Sequence, residues 1–252
     1  MPIAKPILTA VFLLLGAGAA CASPNLVTNG SFEQSPFSAN SQFGSAGYAN
    51  LPGWSVAANS STPFDLWFQA GTSTTVSAQT QYGANSQDLV PSFNDTAPDG
   101  HALVTLDGDP NATGVLSQSL SNLKAGDAYT LSFSWAATQM NTGSHSNYNI
   151  ALAYNLGATA LTSSTGGQST AVFNETYGQS TGWMTVTASF IATSAQEVLS
   201  FLSYGGPVGG PPIAALDNIS LVDAGTPVPE PSSIALFAGV ALLGMIFAQR
   251  RA

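Results

Sequence analysis

Along the middle of the chain, apolar and polar residues alternate with a period of two. Tyr129, Leu131, Phe133 and Trp135 are separated by Thr130, Ser132 and Ser134, which predicts a strand with one buried face. Similar alternation runs through 101–106, 149–154, 184–190, 197–203 and 214–222. Turn-forming clusters at 123–127 and 163–167 punctuate these runs, and no segment between the two ends carries a helical period. Many short strands at this spacing predict an all-β fold, a jelly-roll β-sandwich over residues 23–224, with 40–49 and 205–212 as loops within it. Trp135 shares the apolar face of its strand and Trp54 opens another, so both are expected in the core.

The two ends follow different rules. Residues 1–22 read as a signal helix: Lys5 supplies the positive start, 10–16 the apolar stretch, and Ala20-Cys21-Ala22 a small-x-small cleavage site before Ser23. Lipidation of Cys21 is the rival reading, but Gly18 stands where a lipidation signal wants leucine. At the other end, prolines 227, 229 and 231 hold an extended spacer before the apolar run 234–248, and Arg250 and Arg251 close the chain. That run suits a single transmembrane helix at the short end of the roughly 20 residues needed. The terminal arginines anchor its end on the cytoplasmic side.

This C-terminal arrangement (residues 225–252) resembles the PEP-CTERM sorting signal, whose motif stands here as Val228, Pro229, Glu230 and Pro231. The resemblance implies an exosortase-type membrane protease as partner. It also implies transient anchoring in the inner membrane, followed by delivery to the cell surface or release. Hosts of such proteins make exopolysaccharide, which becomes a candidate partner.

Composition narrows the chemistry. Charged residues make up 7% of the 252-residue chain, against about 25% in an ordinary soluble protein. Only Lys5, Lys124, Arg250 and Arg251 are basic, so residues 23–226 set Lys124 against twelve carboxylates, a formal charge of −11. Such a surface repels phosphate backbones, which excludes nucleic acid as a partner and makes divalent cations the natural counter-charge. Cys21 is the sole cysteine, so no disulfide forms within the chain.

A second resemblance lies in a succession of short segments: 25–33, 51–54, 99–103, 116–120, 125–133 and 216–221. In this order they resemble the galactose-binding-like jelly rolls, which include carbohydrate-binding modules. The resemblance implies that Glu33, closing the first strand, and Asp217, in the last, help hold a structural Ca2+ ion. Asp99 is a possible third contributor.

Catalytic patterns are poor. Asp107, Asp109 and Asn111 have the alternate-oxygen spacing of a calcium loop, but Ala112 replaces the required glycine, and a solvated turn is expected. Gly178–Gly182 matches G-x-S-x-G formally, yet no histidine follows it. Zinc-ligand spacing is absent. Aromatic side chains outside the expected core, Trp67, Tyr82, Tyr148 and Tyr204, are the candidate platforms for sugar rings. The sequence therefore points to an exported, non-catalytic surface or matrix protein, polysaccharide-associated or structural. A secreted polysaccharide hydrolase is the first alternative and an ice-binding protein the second.

Overall fold

Where the sequence alternates, the chain is extended. The computed structural model describes residues 23–226 apart from 46, 60, 61, 75–87 and 142–146; the signal helix, the sorting motif and the C-terminal helix lie outside the described residues. Twelve strands follow in order: β1 Ser41–Phe43, β2 Ser55–Ala58, β3 Asp65–Gln69, β4 Ala102–Asp107, β5 Gly114–Ser121, β6 Ala128–Gln139, β7 Tyr148–Gly157, β8 Gln168–Ser169, β9 Phe173–Glu175, β10 Met184–Ile191, β11 Gln196–Gly206 and β12 Pro212–Gly225. They form two sheets. The first has the order β1-β3-β4-β12-β6-β10; the second has β2-β5-β11-β7-β8, with β9 also on β7. From β4 to β7, and again from β10 to β12, successive strands alternate between the sheets.

The alternation explains the layers. Leu131, Phe133 and Trp135 of β6, Leu152 and Tyr154 of β7, and Leu199 and Phe201 of β11 meet in the main core between the sheets. Phe133 joins the two layers, its ring edge-on to Tyr154 at 5.1 Å and to Phe201 at 5.2 Å. Trp54 and Trp135 are buried, as their patterns predict. Two smaller clusters cover the outer faces. Leu89 and Phe93 pack on Leu66, Phe68, Leu103 and Ile213 of the first sheet. Leu161, in the segment after β7, packs on Val115, Ala153 and Leu202 of the second.

Three expectations change. The 40–49 loop contains β1, paired with β3 through Gln42 and Leu66. The 205–212 loop is shorter at both ends, since Gly205 and Gly206 complete β11 and Pro212 begins β12. Glu33 does not close a strand. It follows a turn at residues 28–31 that is tied to β12 by Leu26 N–H donating to Leu221 O (2.8 Å) and Ile219 N–H to Gly30 O (2.9 Å).

Candidate functional site

Glu33, Asp99 and Asp217 come together where β12 passes the start of β4. Asp217 is fully buried, and its carboxylate accepts backbone N–H groups from Asp99 (2.8 Å) and Asn218 (2.6 Å). The exposed Glu33 accepts the His101 N–H at 2.6 Å. Gly100 sits between them with φ +82, and a Cβ there would lie 2.6 Å from Glu33 Cδ, so the turn that brings the acids together requires glycine. Burial first, then repulsion from Asp99 and Glu33, pushes the Asp217 carboxyl up to about 7, against the two backbone hydrogen bonds. Lys124 does not relieve this charge; it pairs with Asp223 at 3.2 Å and Asp127 at 3.7 Å. A buried acid crowded by like charge, with free lone pairs and no cationic side chain beside it, fits a hard divalent cation. Among the described residues no group of three or more His, Cys, Asp or Glu side chains is placed to hold a metal ion by itself. Backbone carbonyls would therefore have to complete the shell.

A second acidic group was not legible in the sequence. Asp65 of β3 is fully buried; its Oδ1 accepts the Asp107 N–H at 3.2 Å and its Oδ2 has no partner. Asp107 accepts the Asp109 N–H at 2.8 Å, and Asp109 accepts those of Asn111 (3.0 Å) and Gly209 (2.8 Å). The expected solvated turn is thus a buried clasp joining the β4–β5 loop to the β11–β12 loop. Burial pushes Asp65 well above the usual carboxylate range and Asp107 up to about 7.

Beside this clasp, on the outer side of the second sheet, lies a cavity of about 390 Å3. The half-buried ring of Tyr204 stands in its wall with Asn59, Thr113, Ser163, Ser164 and Ser203. Tyr204 rests on the small cluster under Leu161, and its hydroxyl is hydrogen-bonded to Ser169. Leu161 N–H donates to Ser200 Oγ at 3.1 Å, which holds the covering segment down. Among the described residues no carboxylate lines this cavity.

The other platform candidates fare differently. Trp67 is 4% exposed, its indole N–H donating to Phe32 O at 3.0 Å, because β3 turns it into the main core. Tyr148 is 1% exposed and belongs to the same core. Neither offers a ring face to solvent, so both expectations are corrected. Tyr82 lies outside the described residues. Ser180 of the G-x-S-x-G match donates to Ala137 O at 2.9 Å between β9 and β10, with no strand-to-helix elbow around it.

The sequence profile of a family described as HpiC1-like, HpiC1 cyclase, matches residues 23–201. A PEP-CTERM protein-sorting motif matches 227–251, which marks an exported protein sorted to the cell surface. No curated protein matches the chain. Among solved structures, TmCBM61 in complex with beta-1,4-galactotriose is 17% identical, covering 80% of this chain and 99% of its own at a TM-score of 0.38. The CBM22-1 xylan-binding domain of Xyn10C from Paenibacillus barcinonensis is 13% identical, covering 84% and 100%, at 0.37. An arabinose-bound MgGH51 α-L-arabinofuranosidase is 12% identical, covering 82% and 27%, at 0.41. Superpositions this loose assign no ligand.

Proposed function

The chain belongs to the HpiC1 cyclase family, and within it we propose a non-catalytic, surface-delivered protein that binds neutral polysaccharide through the Tyr204 cavity. An exosortase-type protease would process its C-terminal segment. The observation that carries the reading is the cavity wall, where uncharged hydroxyl and amide groups surround one half-exposed aromatic ring. Sugar rings offer apolar C–H faces to such a ring and hydroxyls to such neighbours, and orientation in small-ligand sites rests on a few polar groups of this kind. The charge of −11 disfavours acidic polymers. Glu33, Asp99 and Asp217 would hold a structural calcium ion, which neutralises the buried acid and fixes the 98–101 turn against β12.

Tyr204→Ala tests the reading. It is expected to weaken binding of neutral exopolysaccharide by on the order of tenfold, the loss typical of truncating an anchoring aromatic, with an unchanged circular dichroism spectrum. Retained affinity in affinity electrophoresis would dismiss the cavity as the site.

The family's description favours a second reading, a ring-closing reaction in the same cavity. Asp107, next to the cavity-lining Gly108, would then be the proton source, its carboxyl already pushed up to about 7. Against it stands the cavity wall, where the described residues include no carboxylate. Asp107→Asn separates the two readings: polysaccharide binding persists under the first, whereas turnover disappears under the second.

A further inference from the structure

Leu89 and Phe93 cover one end of the first sheet's outer face. Further along, the outward positions carry small hydroxyl side chains. Thr185 of β10 stands opposite Ser134 of β6, Thr187 opposite Ser132, and Ser189 opposite Thr130. Ser132 stands in turn opposite Ser220 of β12. The odd-numbered positions of β10 face outward because Val186, Ala188 and Phe190, between and beyond them, pack on the main core. Thr185, Thr187 and Ser189 are all exposed.

Trp183 closes this strip at one end. It precedes β10 with the parity of Thr185, so its ring lies on the outer side, against the Phe93 cluster. Phe93 meets it edge-on at 5.6 Å, and its indole N–H donates to Asn94 O at 3.0 Å. These contacts fix the orientation of the ring and leave it half-buried. From Trp183 to Ser189 the strip runs about 20 Å, at the rise of an extended strand. No charged residue occurs from Thr176 to Gln196 or from Ala128 to Gln139. A strip without charge offers nothing to hold a cation or an acidic polymer. A fixed ring beside a plane of hydroxyl groups offers the apolar face and the hydrogen bonds that a neutral sugar chain takes.

We propose that this strip is a second site for neutral polysaccharide, and that one copy of the chain thereby links two polymer strands. The Tyr204 cavity lies on the outer side of the second sheet, and the main core separates it from Trp183. Sites on opposite sides of one sandwich bind separate polymer segments, and their joint occupation raises avidity for a network. The linking rests on the binding proposed for the Tyr204 cavity; the Trp183 site stands on its own residues.

Three variants test it against neutral exopolysaccharide purified from the producing cells: Trp183→Ala, Tyr204→Ala and the double. In affinity electrophoresis each single variant is expected to bind, weakened by on the order of tenfold, and the double to migrate unretarded. In solution the unaltered protein should raise the low-shear viscosity of the polymer, and each single variant should give a rise about tenfold smaller. Thr187→Lys, at an exposed position, should reproduce Trp183→Ala with an unchanged circular dichroism spectrum. Unaltered binding and viscosity in both Trp183→Ala and Thr187→Lys would overturn the second site and leave the Tyr204 cavity standing. So would complete loss of binding in Tyr204→Ala alone. Binding lost by Trp183→Ala but kept in full by Tyr204→Ala would instead dismiss the Tyr204 cavity, and the linking with it.

Discussion

Phe133→Ala is expected to cost about 3–5 kcal/mol of folding stability, the range for truncating a buried aromatic in a core that relaxes only partly. Phe133 belongs to the first sheet, but its ring makes edge contacts with Tyr154 and Phe201 of the second. Removing it opens a void between the layers, where both partners lose a face at once. Neither sheet closes the gap alone, because each is fixed by ladders on both sides of the affected strands. Urea titration is the check: the midpoint falls while the slope stays constant. Phe133→Leu, which keeps most of the volume, should lose less than about 1.5 kcal/mol. Equal losses for the two variants would contradict the bridging role.

In chelator, the protein is expected to melt at a higher temperature at pH 5 than at pH 8. Asp107 and Asp217 are each pushed up to about 7 in the folded chain, chiefly by burial, from the ordinary carboxyl value of 3.8. A raised carboxyl favours folding where it is protonated. Its contribution is full below the unfolded value and is lost as pH rises through the folded one. Between pH 8 and pH 5 each group returns at most about 2–3 kcal/mol, which for a domain of this size corresponds to several degrees per group. Asp65, raised well above its usual range, acts in the same direction. Asp223, held low by the Gly225 backbone hydrogen bond and by Lys124, changes stability only at more acid pH and leaves the difference between pH 8 and pH 5 unaffected. Excess calcium should raise the pH 8 melting temperature and flatten the Asp217 share, whereas Asp107→Asn should flatten the rest. A profile that falls toward pH 5 would contradict the assignment of these acids as buried and uncompensated.

The long strands were legible where only one face is covered, as in the first half of β6, where Tyr129, Leu131 and Phe133 are buried and the residues between them are not. β10 is the clearest case, with Thr185, Thr187 and Ser189 exposed between partly buried apolar residues. β3 was illegible because both its faces are buried: Trp67 faces the main core and Leu66 and Phe68 the outer cluster, so no alternation survives to give the direction of Trp67. β5 is obscured in the same way where the Leu161 segment covers Val115. Glu33 and Asp217 were singled out through family resemblance and Asp99 only by its place before a predicted strand; in the structure Asp99 N–H donates to Asp217, and both Asp99 and Glu33 lie near enough to repel its charge. The Asp65–Asp107–Asp109 clasp was missed because its spacing is that of any polar turn. Burial comes only when the 207–210 loop closes over it, through Gly209. A single aspartate within the apolar run 64–68 was the signal available in the sequence.

Titration calorimetry of the protein with neutral and acidic exopolysaccharides, at low and at high salt, tests the central claim most directly. Uncharged hydroxyls and one aromatic ring should bind the neutral polymer with an affinity that salt leaves nearly unchanged, and should leave the acidic polymer unbound. Heat of binding from the acidic polymer alone, or none from either, would contradict the account.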